Sequence, residues 1–125
     1  MKKVISTDQA PAAIGPYSQA IEIGNFVFTS GMIPINPATG ELVTGSVEAQ
    51  AEQAFSNLQH LIEASGSSMD KVIKTVVFIQ NMEDFGKINE IYAKYFPEPY
   101  PARSCVEVAR LPKDVALEVE AIVEK

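Results

Sequence analysis

Arg103, Cys105 and Glu107 alternate near the end of this 125-residue chain, and Glu118 and Glu120 repeat the same spacing further on. In extended backbone, side chains two residues apart share a face. The first segment therefore gathers a guanidinium, a thiol and a carboxylate, and the second gathers two carboxylates. A guanidinium matches a carboxylate ligand through paired N–H donors. An oriented glutamate can act as general base on a water. For Arg103 the competing reading is an ion pair with Glu107, Glu118 or Glu120, and for the glutamates it is a solvated strand face. The pattern does not choose between Glu118 and Glu120. Cys105 is either a nucleophile whose thiolate Arg103 favours or a buried inert thiol. His60 is the one histidine and lies off the apolar stripe of its segment, so it is expected to be exposed and no histidine-assisted nucleophile is expected. Asn89 does fall on an apolar stripe, with Phe85, Tyr92 and Phe96. It is either a structural amide or a ligand contact. Tyr17 and the Thr29-Ser30-Gly31 run stand at the ends of early extended segments. There Ser30 offers a hydroxyl and Gly31 a closely approachable backbone N–H.

The elements that position these residues follow from periodicity. Segments 18–23 and 26–30 alternate like strands around Gly24-Asn25, a two-residue hairpin signal. Segments 32–35 and 41–43 flank a turn around Pro37 and Gly40 and read as short irregular strands. Ser46 is an N-cap type, and Val47, Ala51, Ala54, Phe55, Leu58 and Ile62 follow at helical spacing until Gly66. The β-branched run from 71 to 79 predicts a central strand covered on both faces. A second helix is predicted from about Asn81, with Phe85, Ile88, Ile91, Tyr92, Tyr95 and Phe96 on its apolar side. Pro97, Pro99 and Pro101 end it. Strands over 103–109 and 115–123 complete the chain. The order predicts an α+β fold, one domain over 1–125, with two helices on one face of a mixed sheet. The apolar faces of the last two strands are expected under the helices. The faces carrying Arg103, Cys105, Glu107, Glu118 and Glu120 are then expected on the opposite side.

Composition narrows the function. With 46% hydrophobic and 21% charged residues the chain is not of disordered type. One cysteine excludes an internal disulfide and a multi-cysteine metal site. A net charge of −6 disfavours nucleic acid as a ligand. No apolar stretch approaches a membrane span and no apolar segment follows Lys2-Lys3, so a cytoplasmic protein without membrane contact is expected. No glycine-rich phosphate loop is present. From the residues alone, hydrolysis or isomerisation of a small anion and simple binding of one are equally supported.

Ala13-Ile14-Gly15-Pro16-Tyr17-Ser18-Gln19 and the stretch from Pro101-Ala102-Arg103-Ser104-Cys105 to Leu111-Pro112-Lys113-Asp114 resemble the RidA (YjgF-type) family of reactive intermediate imine deaminases. The resemblance spans the whole chain, including Thr29-Ser30-Gly31 and the segment from Phe85 to Asn89. It implies a chorismate-mutase-like fold assembled as a homotrimer, with the sheets lining the interior and the sites in clefts between subunits. It implies hydrolysis of 2-iminopropanoate and 2-iminobutanoate to 2-keto acids and ammonia, with no metal and no organic cofactor. By the match of motifs, Arg103 would hold the substrate carboxylate and Glu118 would activate or orient water. Tyr17, Ser30, Asn89 and the backbone at Gly31 and Cys105 would shape the pocket. The resemblance thereby selects Glu118 over Glu120. Two alternatives stand beside it. One is a non-catalytic 2-keto acid binding or regulatory protein. The other is the older translation-inhibitor or endoribonuclease label, disfavoured because the chain has no basic stripe and no histidine placed for RNA cleavage.

Overall fold

A computed structural model describes residues 1–125. Six strands form one mixed sheet: β1 (Lys3–Ile5), β2 (Ala20–Ile23), β3 (Phe26–Thr29), β4 (Val72–Ile79), β5 (Ala102–Glu107) and β6 (Leu117–Glu124). Helices α1 (Val47–Ala64) and α2 (Phe85–Tyr95) complete the chain. The strand order is β1-β2-β3-β6-β4-β5, and β4 with β5 is the one parallel pair. Helix α2 is the crossover between those two strands, which is how parallel neighbours are joined.

Each long element forms for a local reason. The Ser46 side chain accepts from the Ala49 N–H at 3.1 Å, a cap worth about 1 kcal/mol. Gly66 follows α1 with φ 89°, a conformation glycine adopts without strain. Phe55, Leu58, Leu61 and Ile62 of α1 are fully buried against Val77, Ile79, Leu117, Val119 and Val123 of the sheet. A 3-10 turn, Met82–Asp84, precedes α2, and Asn81 caps it by accepting from Glu83 N. No helix is long and apolar enough to cross a membrane.

Several expectations are corrected. Strand β1 was not legible: three residues carry too little alternation, and pairing with β2 makes the strand. Segments 32–35 and 41–43 reduce to isolated bridges, Met32 to Val119 and Ile35 to Leu42. Pro34 and Pro37 carry no N–H for a longer ladder. β4 is central but covered on one face only; Val76 and Phe78 on its other face stay half-buried.

The largest correction concerns faces. Thr75, Val77 and Ile79 are buried on the helix side of β4, and their register partners on β5 are Arg103, Cys105 and Glu107. Partners in register share a face, so Arg103, Cys105 and Glu107 lie on the helix side. Glu118 and Glu120 pair with Phe78 and Val76 and lie on the open side. The alternation holds in both strands, and the expected side holds for Glu118 and Glu120 on β6; it is wrong for Arg103, Cys105 and Glu107 on β5. β5 is an edge strand at the margin of α2, where polar side chains reach solvent without leaving the helix face. Its apolar Val106 sits on the open side, 43% exposed.

Candidate functional site

The opposite faces of Arg103 and Glu118 divide the site residues into two groups. In the first, Arg103 Nη1 donates to Asn89 Oδ1 at 2.8 Å. Its guanidinium carbon lies 4.6 Å from the centre of the Tyr92 ring and 5.4 Å from that of Phe85. Arg103, Asn89 and Tyr92 border a depression of about 420 Å³, lined also by Ala93, Tyr100 and Pro101. Arg103 makes no ion pair; the two in the protein are Arg110 with Asp114 and Lys125 with Glu22. The ion-pair reading of Arg103 is therefore replaced by a neutral amide partner, which leaves the cation uncompensated. A guanidinium with free donors at a pocket rim can receive a carboxylate through paired N–H bonds. Asn89 is half-buried, borders this depression, and its side-chain oxygen accepts from Arg103.

The second group borders a depression of about 380 Å³ that includes Tyr17, Ser30, Gly31, Met32, Lys113 and Glu118. The Glu118 carboxylate rests directly on Gly31, where a Cβ would overlap it. This contact picks out Glu118, since Glu120 lines neither depression. Burial pushes the Glu118 carboxyl above its usual range, and the Glu120 charge adds to the rise. A carboxylate raised toward neutrality suits proton transfer. The Gly31 N–H has no backbone acceptor. The Ser30 hydroxyl donates to Ser18 O at 2.6 Å, which leaves its oxygen free only to accept. Tyr17 is half exposed at the rim.

Cys105 follows Arg103 on the same face but lines neither depression. It packs on the core margin, and burial pushes its thiol up although Arg103 pulls it down. That favours the inert thiol over a nucleophile. His60 is exposed on α1 and lines neither depression. No group of three His, Cys, Asp or Glu side chains is placed to hold a metal ion.

Two buried amides fix the second depression, and neither was expected. Gln19 accepts from Thr7 N at 2.7 Å and donates to Pro11 O at 2.7 Å, tying down the 7–11 segment. Asn57 donates to Ile33 O at 3.0 Å and Ile35 O at 2.8 Å. The sequence held a signal for Asn57, which stands three residues after Ala54 and four before Leu61 on the buried stripe of α1. Tyr92, Tyr100 and Lys113 were likewise not anticipated as site residues. The first was read as core, the second was given no role, and the third is placed by a turn that holds it at φ 56°.

The sequence and the fold are similar to those of known proteins. A sequence model of the family described as endoribonuclease L-PSP matches residues 7–125. A RutC family protein of Pyrococcus horikoshii is 54% identical over 125 residues, covering 100% of this chain and 99% of the relative. The 2-iminobutanoate/2-iminopropanoate deaminase of Escherichia coli K12 is 51% identical over 125 residues, covering 98% of this chain and 97% of the relative. Among solved structures, E. coli TdcF with bound serine has a TM-score of 0.93 at 49% identity, covering 98% of both chains. RidA from the Antarctic bacterium Psychrobacter has a TM-score of 0.94 at 45% identity, covering 98% of this chain and 99% of that one. With a family match over nearly its full length and relatives near half identity, the chain belongs to the RidA (YjgF-type) family.

Proposed function

We propose that this single-domain chain assembles as a homotrimer and hydrolyses 2-imino acids, 2-iminopropanoate and 2-iminobutanoate, to 2-keto acids and ammonia. The observation that carries the reading is the division of the site. A free guanidinium and a carboxylate of raised pKa each line an open depression, but on opposite faces of one sheet. A second copy seated on the open face brings its Arg103 depression against the Glu118 depression of the first. The open face invites such a partner: Ile23, Phe26, Phe28 and Val106 are each more than 40% exposed there. An apolar surface of that kind marks an interface.

In the joined cleft Arg103 binds the substrate carboxylate through the donors that Asn89 leaves free. Glu118 holds a water against the electrophilic C=N carbon. As the water adds, Glu118 takes its proton. The carboxyl returns that proton to nitrogen, giving a 2-amino-2-hydroxy acid. Glu118 then takes the hydroxyl proton as the C=O bond forms and passes it to nitrogen, the C–N bond breaks, and ammonia leaves with the 2-keto acid. Placing water against an activated carbon supplies much of the acceleration such a reaction needs. The relative named for this activity, at 51% identity, supports the assignment.

The test is a coupled assay. A serine or threonine dehydratase generates the imine, keto-acid release is followed, and semicarbazide competes as trap. Wild-type protein is expected to divert imine from the trap, Arg103→Ala to abolish the effect, and Glu118→Gln to reduce it with the fold intact. No diversion by wild-type protein, together with calorimetric binding of 2-oxobutanoate, would move the function to ligand binding.

A further inference from the structure

An exposed arginine on an edge strand samples many rotamers, and that freedom is lost when it clamps a ligand. Here the protein has removed much of it in advance. Phe85, Asn89 and Tyr92 are spaced four and three apart on α2, so they line one side of the helix beneath the guanidinium. Asn89 takes one N–H, and the Tyr92 ring lies closest to the cation, at 4.6 Å.

Tyr92 is itself held. It is 5% exposed, stacks on Phe96 at 4.2 Å between ring centres and meets Phe55 edge-on at 5.6 Å. Its hydroxyl shares a 2.8 Å hydrogen bond with Thr75, which is fully buried. Thr75 is also the register partner of Arg103 across β4 and β5. The strand that aligns the arginine backbone therefore also anchors the ring under its side chain. A phenylalanine would fill the same core volume but would lack this tie to the strand that pairs with Arg103.

We propose that Tyr92, anchored by Thr75, is a positioning residue that holds the Arg103 guanidinium in its carboxylate-binding orientation. The ring face attracts the cation and sets its plane, and Asn89 fixes its rotation in that plane. The remaining N–H donors then point over the depression lined by Tyr100 and Pro101. This inference rests on the assignment of Arg103 to the substrate carboxylate.

The test compares Tyr92→Leu, Tyr92→Phe and Thr75→Val with Arg103→Ala, in imine turnover and in calorimetric titration with 2-oxobutanoate. Tyr92→Leu is expected to raise KM and Kd about tenfold, more than any fall in kcat. Tyr92→Phe keeps the ring and recovers all but about threefold of that loss. Thr75→Val keeps the volume, leaves the tyrosine hydroxyl unpaired, and shows the same threefold effect of about that size. Unchanged KM and Kd in a folded Tyr92→Leu protein, or a loss confined to kcat, overturns the positioning role. If Tyr92→Leu fails to fold by circular dichroism, Thr75→Val and Tyr92→Phe decide, and wild-type constants in both overturn it. Arg103→Ala that still binds 2-oxobutanoate overturns the carboxylate assignment instead.

Discussion

Gly31→Ala tests the placement of Glu118 with the smallest available perturbation. Gly31 is outside the left-handed region, so its backbone accepts alanine without strain. The new Cβ would instead lie 2.6 Å from Glu118 Cδ and 2.9 Å from Cγ, with the carboxylate oxygen closer still. Carbon atoms in ordinary contact stand about 3.5–4.0 Å apart, so the carboxylate must retreat by roughly 1 Å. The stability cost of such overpacking is at most about 1–3 kcal/mol, and the half-buried carboxylate can swing away, so the lower end is expected. Activity suffers more. A group misplaced by about 1 Å costs about 100-fold in kcat, or about 2.7 kcal/mol of barrier. The dehydratase-coupled assay reads that loss, and thermal melting reads the fold. In a Glu118→Ala background the three nearest atoms that the added methyl would meet are gone, so Gly31→Ala should then cost far less in stability and in residual activity. Gly31→Ala with kcat within twofold of wild type would refute the placement, as would an equal stability cost in both backgrounds.

Three further outcomes are expected. Mixing Arg103→Ala and Glu118→Ala subunits after unfolding and joint refolding should restore about one quarter of wild-type activity, because one site in four pairs two intact halves in a random closed ring. No recovery beyond either variant alone would place the two residues in one protomer's site. Phe28→Asp, a charge at the centre of the open apolar face, should yield monomers by analytical ultracentrifugation and lower activity at least about tenfold, although Arg103 and Glu118 are untouched. Glu118 has a folded-state pKa raised by burial and then by Glu120, so its contribution to stability is fully present below the unfolded carboxylate range and is lost as pH rises through the folded pKa. Glu118→Gln should accordingly melt above wild type at neutral pH, with the advantage shrinking as pH falls toward the ordinary carboxylate range. A pH-independent difference between their melting temperatures would contradict this.

The helices and the long strands were legible because their signals are local. Ser46, Gly66 and the apolar stripe between them suffice for α1, and a β-branched run suffices for β4. The rest depends on partners far away in sequence. β1 exists through its pairing with β2, and the bridges of Met32 and Ile35 are as short as their prolines allow. Period-two alternation fixes which residues share a face but not which face is covered. That choice was made by the register of β5 against β4, a pairing no local pattern contains. Likewise Glu118 and Glu120 are equivalent in their own strand, and the contact with Gly31 separates them.

Under the proposed function, the face that alternation could not assign bears on the reactivity of the site. Had Arg103 and Glu118 shared a face on strands both flanking β4, no sheet would stand between the two charges, and an ion pair would compete with the substrate. Such a pair would occupy the guanidinium that the substrate needs. It would also pull the glutamate pKa down, away from the range useful for proton transfer. Instead Arg103 rests on an amide and two aromatic rings, and burial, with the Glu120 charge, holds the Glu118 carboxyl up. The fold separates cation and base by the thickness of a sheet, so neither quenches the other within a chain. In the proposed assembly they meet across a subunit boundary with the substrate between them. Its carboxylate takes the charge of Arg103, and Glu118 stays free to move a proton.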